Sequence, residues 1–292
     1  MGPLSGSMQL RGRPYNRGVT PGPFLWRKTL IRLVLSDLDA TLLDTPRSGL
    51  TGRAAAAIRA VMAHGAVFGP CTGRSPAHLP GLFGPGTGDL YRSGVFDNGM
   101  VAYLDGERVH ARFYDPAALA DLALRVRREG IGEIGVCGLP GLPGEFVVVD
   151  GPWLASHGEG ALAGLTKANI HLPEGADLGA AADHLSALYP AFDLVSPTRS
   201  RPILDVLAAG CSKATGARAL AEAVGAAPDE VLVFGDSDND LEVLGAFPNS
   251  CAVADAKPAV LERARWVVGP CGEDGVARAL EGLVSTSGAV PR

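Results

Sequence analysis

The sequence predicts an α/β fold, a doubly wound and mainly parallel sheet with a separate α+β domain inserted into it. Three observations carry this expectation. Short apolar runs recur at residues 31–35, 66–68 and 231–234, without polar alternation. Runs of that kind are strands buried on both faces. Each stops abruptly at small polar or acidic residues, and helical patterns stand between them. From about residue 103 to 203 the pattern changes, and helices alternate with hairpin-like strands.

The first run, Ile31-Arg32-Leu33-Val34-Leu35, ends in the two carboxylates Asp37 and Asp39. Open α/β sheets place their ligand chemistry just beyond the carboxyl ends of their strands. Two acids there repel each other and lose hydration unless positive charge sits between them, most simply a divalent cation. An ordinary acidic turn has the same spacing, so the pair alone does not decide. A helix is expected over Thr51–Ala63, with Thr51 as N-cap and Gly65 beyond its end. A second strand, Ala66–Cys71, runs into Thr72-Gly73-Arg74. A hydroxyl with free backbone N–H groups at such a turn makes an anion-binding concavity, although a plain turn would also use a hydroxyl cap.

Pro80–Gly88 reads as a loop, and Phe96-Asp97-Asn98-Gly99 as a turn. Asp105-Gly106 between two apolar runs signals a hairpin. Asp115-Pro116 opens a helix that closes at Gly130, with cap, first-turn proline and terminal glycine in the expected order. Strands are expected at residues 133–137, 146–150, 168–172, 192–196 and 203–207, with a helix at 178–188. The domain boundaries follow. Residues 1–28 are a disordered leader rich in Gly, Pro and Arg, with Met8 as a conceivable start. Residues 29–102 and 204–292 form the core, and 103–203 the insert.

Beyond the insert, Lys213 falls in the first turn of a helix. The helix dipole disfavours a cation there, so a bound anion would explain the lysine, and a solvent-facing side chain is the plainer account. The apolar strand Val231–Phe234 ends in Gly235-Asp236-Ser237-Asp238-Asn239-Asp240. A helix cap needs one such residue. Three aspartates and an asparagine form an oxygen-rich cluster suited to a hard cation such as Mg²⁺. The closing pattern is strand, helix, strand and helix over residues 250–283.

Composition excludes several classes. Hydrophobic residues make up 47% of the 292 and charged residues 20%, which fits a packed globular protein rather than disorder. The net charge of -5 argues against nucleic acid as the main partner. Five scattered cysteines without C-x-x-C spacing suit a reduced, cytoplasmic protein with neither a disulfide framework nor a zinc site. No apolar run approaches the length of a membrane span.

Carboxylates for a metal, a hydroxyl and a lysine for an anion, and one spare carboxylate together suit phosphoryl transfer, which depends on positioning and charge neutralisation. No P-loop pattern is present, so a carboxylate nucleophile is the economical reading. At this point the set resembles the haloacid dehalogenase superfamily. Asp37-Leu38-Asp39-Ala40-Thr41 matches its D-x-D-x-T motif, Thr72 its second motif and Lys213 its third. Gly235-Asp236-Ser237-Asp238-Asn239-Asp240 matches G-D-x-x-N-D. The insert between motifs two and three, with Asp97-Asn98-Gly99-Met100, is similar to the Cof-type branch that includes sugar-phosphate phosphatases.

That resemblance implies Asp37 as nucleophile and Asp39 as general acid and base. It implies Thr72, Gly73, Lys213 and Asn239 as phosphate-binding residues. Mg²⁺ would be held by Asp37, the backbone carbonyl of Asp39 and Asp236, with Asp240 in support. One departure is Ala40, where the family usually has Gly. The expected activity is Mg²⁺-dependent hydrolysis of a small phosphorylated metabolite, a sugar phosphate. A sugar phosphomutase and a non-catalytic sugar-phosphate binder are the alternatives. Lys167, His171, Arg199 and Arg201 are the insert's candidate substrate contacts, with solvated surface charge as their plainer role. The protein is expected as a monomer or homodimer, with no nucleic-acid or membrane partner.

Overall fold

The structure, a computed structural model, describes residues 30–44, 49–196 and 201–285, and the backbone of two short strands, Gln9–Leu10 and Arg13–Pro14, which pair antiparallel. The rest of the expected leader over 1–28, and Arg199, lie outside the described residues. The chain forms two compact units, residues 1–67 with 228–292, and residues 68–227.

The first unit is built on parallel strands in the order Trp266–Val268, Asn249–Val253, Val231–Gly235, Leu33–Ser36. Leu33, Val34, Leu35, Val231, Leu232, Val233 and Phe234 are all fully buried, as their unbroken apolar runs require. Each such side chain contributes roughly 1.5–3 kcal/mol by leaving water. The helices Gly52–Ala63 and Gly275–Ser285 pack together, and Arg53 bridges to Glu281 between them. Thr51 caps the first helix, its Oγ1 accepting from the Ala54 N–H. The helices Leu241–Ala246 and Pro258–Arg263 complete the unit.

In the second unit, an antiparallel sheet runs in the order Phe192–Val195, Ile203–Ala208, Lys167–His171, Glu133–Leu139, Leu142–Val149. Its core takes Leu119, Leu122 and Val126 from the helix Pro116–Arg128. Asp115 caps that helix through the Ala117 and Ala118 N–H groups. The helix Leu178–Leu188 contributes Leu185 to the same core. A smaller antiparallel sheet joins Gly94–Phe96, Val101–Leu104 and Glu107–Ala111, and the helix Lys213–Val224 packs on it. The Asp105-Gly106 hairpin forms as its sequence demands, with φ of 51° and 86° at the two turn residues.

Some local expectations differ from what is found. Pro80–Gly88 was expected as a loop, but Leu79–Phe83 is a short helix that buries Leu79 and Phe83. Gly94–Phe96 is a strand and Gly151–His157 a helix, and neither stands out in the sequence. Asp150 caps that helix through the Trp153 N–H, and Pro152 sits in its first turn. Among the described residues, no helix is long and apolar enough to cross a membrane.

Candidate functional site

Strand register places the first cluster. Leu33–Ser36 and Val231–Gly235 are hydrogen-bonded parallel neighbours, with Phe234 opposite Ser36. Asp37 and Asp236 therefore follow at adjacent carboxyl ends, and the Asp37 N–H donates to the Phe234 carbonyl at 3.0 Å. Asp37, Asp236 and Asp240 are all buried, and one oxygen from each lies within 4.8 Å of the others. That span suits oxygens sharing one small cation.

The surrounding residues hold these carboxylates in place. Thr41 Oγ1 donates to Asp236 Oδ1 at 2.9 Å, and Ser237 Oγ donates to Asp236 Oδ2 at 2.9 Å. Asp240 Oδ2 accepts from the N–H groups of Asp236 and Ser237, both at 3.0 Å. Asp240 is thus the clasp of its own loop. Gly235 is required here, because a Cβ would come 2.6 Å from the Asp240 side chain. Asp39 is half-buried and its carboxylate is not among the three that converge. Asn239 is half-buried on the following turn. Ala40 adopts φ 59°, the left-handed region in which the family's usual glycine would be unstrained.

Thr72, Gly73 and Lys213 belong to the second unit. Thr72 is buried, and its Oγ1 accepts from the Arg74 N–H at 3.2 Å. Its backbone is stitched to residues 95–98: the Thr72 N–H donates to Val95 and the Asn98 N–H donates to the Thr72 carbonyl. Lys213 is 1% exposed, so the solvent-facing account of this lysine is wrong. Its helix starts against the same segment. A Cβ on Gly99, whose φ is 96°, would fall 1.9 Å from the Ser212 carbonyl oxygen. Thr72 and Lys213 are therefore both anchored on residues 95–99.

The candidates from the insert fare differently. Lys167 is not a surface charge. It is 7% exposed and its Nζ lies 2.8 Å from Asp205 Oδ1. Asp205 also accepts from the side-chain amides of Asn98 and Asn169, which makes a closed buried network. His171 and Arg201 are exposed, and the His171 ring meets Phe146 edge-on.

One feature of this unit was missed in the sequence. Asp97, read there as part of a turn, is 1% exposed and adopts φ 51°. Its Oδ2 accepts from Thr166 Oγ1 at 2.7 Å, while Oδ1 has no hydrogen-bond partner. Burial raises its pKa to about 7, against the opposing pull of the Lys167 charge and the Thr166 hydroxyl. A cavity of about 340 Å³ adjoins it, lined by residues of the second unit that include Ser75, Tyr103, Arg108, Phe113 and Thr166. An acid followed by Asn98-Gly99, two residues that tolerate the left-handed region, is the signal that could have marked it.

Comparison with known proteins adds three findings. Residues 177–280 match the model of the haloacid dehalogenase-like hydrolase family. A phosphoglycolate phosphatase of Halorubrum lacusprofundi is 38% identical over 78 residues, which are 27% of this chain. The matched stretch is 34% of that relative, so the chain spans about a third of its length. Two solved structures share the fold. One is a phosphatase of the same superfamily from Bacteroides thetaiotaomicron, with TM-score 0.71, 19% identity, and 93% and 100% of the two chains covered. The other is a subclass IIB sugar phosphatase, with TM-score 0.67, 18% identity, and 86% and 98% covered.

Proposed function

Because the chain belongs to the haloacid dehalogenase-like hydrolases of the Cof type, we propose that it is a Mg²⁺-dependent phosphatase that hydrolyses a small sugar phosphate. The observation that carries the proposal is the convergence of Asp37, Asp236 and Asp240 to within 4.8 Å. Buried carboxylates this close favour a hard divalent cation, so the donor set fits Mg²⁺. Asp37, the Asp39 carbonyl and Asp236 would hold the ion and Asp240 would support it. When bound, Mg²⁺ supplies charge neutralisation to the phosphoryl oxygens.

The remaining roles fall to the chain's own side chains. Asp37 attacks phosphorus and becomes an aspartyl-phosphate. Asp39, two residues on and less buried, gives a proton to the leaving oxygen and then takes one from the attacking water. Thr72, Gly73, Lys213 and Asn239 bind the phosphate, and residues 103–203 act as a cap that reads the leaving group. Lys213 is 1% exposed, and a positive charge held there acts on an anion with little screening by water. All five cysteines are buried, and no disulfide is formed among the described residues, which supports a reducing compartment such as the cytoplasm.

Phosphate release from a panel of sugar phosphates, with and without Mg²⁺, tests the proposal. Turnover should need the metal and no bisphosphate activator. Asp37→Asn should abolish release while circular dichroism stays unchanged. Full activity in that variant refutes the nucleophile. A requirement for a bisphosphate would convert the assignment to a mutase.

A further inference from the structure

Three residues in succession, Asp97, Asn98 and Gly99, adopt left-handed backbone angles, with φ of 51°, 54° and 96°. Two of them carry side chains, and such strain persists only where the surrounding structure enforces it. The rest of the second unit supplies that constraint. The Thr72-Gly73-Arg74 turn is bound to these residues: the Asn98 N–H donates to the Thr72 carbonyl at 3.0 Å, and the Asp97 N–H donates to the Arg74 carbonyl at 3.2 Å. The helix that begins at Lys213 rests on them as well, since a Cβ on Gly216 would lie 2.9 Å from the Gly99 Cα. Residues 97–99 are therefore the element that Thr72, Gly73 and Lys213 share.

The side chain of Asn98 makes two further connections. Its amide group fills the space beside Gly73, where a Cβ would lie 2.9 Å from both Nδ2 and Oδ1. Position 73 takes glycine for that reason. The Asn98 Nδ2 also donates to Asp205 Oδ2. The other Asp205 oxygen accepts from Lys167 Nζ at 2.8 Å and from the Asn169 amide. All four of these side chains are at most 7% exposed. A buried ion pair is weak evidence for stability, because apolar residues of similar volume often serve as well. A charged acceptor does add direction to the amide that donates to it. Asp205 fixes which way the Asn98 amide points, and that amide bears on Gly73.

We propose that Asp205 and Asn98 are positioning residues for phosphate binding. Asp205, neutralised by Lys167, locks the Asn98 amide against Gly73. The locked turn then holds the Thr72-Gly73 backbone and the start of the Lys213 helix in one register. Neither Asp205 nor Asn98 touches the phosphate. The assignment rests on the phosphatase reading, which makes Thr72, Gly73 and Lys213 phosphate ligands. Donors that must be ordered as the anion arrives lose affinity to that ordering. Release of residues 97–99 therefore weakens all three sets of contacts at once.

The test uses the full chain with saturating Mg²⁺ and inorganic phosphate as probe, its Kd read by calorimetry. KM and kcat are read on the best ester of the sugar-phosphate panel, at a temperature where circular dichroism shows each protein folded. Asn98→Gly keeps the left-handed backbone and removes the amide. Asn98→Asp keeps the size and sets a second carboxylate against Asp205. Each should raise the phosphate Kd and the KM by at least about tenfold, because small misplacements of positioning groups are felt this strongly. A residue that only stabilises the fold would lower the folded fraction, and with it apparent kcat, and leave Kd and KM unmoved. Asn98→Asp combined with Asp205→Asn regenerates the bond with donor and acceptor exchanged and leaves one carboxylate for Lys167. This double variant should recover most of the loss. Unchanged Kd and KM in either single variant overturn the proposal, as does a double variant no better than Asn98→Asp. If the wild type binds phosphate but releases it from no ester, the phosphatase reading fails, and the Kd values still decide the positioning. Absence of phosphate binding by the wild type overturns the proposal.

Discussion

Thr41 and Asp236, separated by 195 residues, are joined by a 2.9 Å hydrogen bond from the threonine hydroxyl to a carboxylate oxygen. With Ser237 on the other oxygen, Asp236 is held from both sides, which fixes its direction towards Asp37. Outer partners of this kind tune metal affinity by about 10- to 100-fold. Thr41→Val should raise the Mg²⁺ concentration for half-maximal phosphate release by about tenfold, with activity largely recovered at saturation. A Mg²⁺ titration of initial rates checks this, and an unshifted midpoint would show that Thr41 does not orient the ligand.

Metal binding also has a stability signature that needs no turnover. A cation that binds only the folded state at 100 times its Kd stabilises by about 2.7 kcal/mol. The thermal midpoint of the wild type should therefore rise with Mg²⁺. Asp236→Asn should lose most of that rise. A rise of the same size in both proteins would locate the ion elsewhere.

Ala40 follows Asp39 with φ 59°, a conformation costing an L-residue about 1–2 kcal/mol. Ala40→Gly removes that strain but adds about 0.5–1 kcal/mol of backbone entropy to the unfolded chain. The net expectation is a gain of up to about 1 kcal/mol, read by urea unfolding. A loss of that size would mean that the Ala40 methyl makes a contact worth more than the strain.

How far the sequence disclosed the site depends on where each residue's environment comes from. Asp37 and Asp236 follow unbroken apolar runs, so their strand-end placement is a local property and was legible. Gly235 and Asp240 were legible as motif members, but the 2.6 Å approach that forces glycine was not. Lys167 shows the limit. Nothing adjacent to it in sequence announces burial, because its partner Asp205 is 38 residues away on a neighbouring strand. Asp97 was hidden for the same reason: Thr166, which holds it, is 69 residues on. The helix Gly151–His157 was missed because it is short and buries none of its residues fully, which leaves little periodic signal.

The Lys167–Asp205 pair gives a stability prediction. Both side chains are nearly inaccessible, so Lys167→Met leaves Asp205 charged and uncompensated except by the two amides. Breaking one side of such a pair costs about 3–5 kcal/mol. Adding Asp205→Asn to Lys167→Met should recover part of the loss, because the stranded charge disappears. Urea midpoints of the two single variants and the double variant decide it. Strict additivity would mean that the two groups do not interact.

Asp97 sets the last expectation, and its sign is opposite to that of a salt-bridged carboxylate. Its pKa is about 7 in the folded chain against an ordinary 3.8, with burial as the main cause. Between those values the folded state holds a proton that the unfolded state releases, so stability declines as pH rises from about 4 to about 7 and then levels. The gap corresponds to roughly 4 kcal/mol as an upper bound. Asp97→Asn has no proton to lose. Its stability relative to wild type should improve steadily from pH 4.5 to 7 and not beyond. Urea unfolding of both proteins at intervals across pH 4.5–8, without Mg²⁺ or substrate, measures the difference. Parallel curves would show that Asp97 ionises as an exposed carboxylate does, and that its burial imposes no cost.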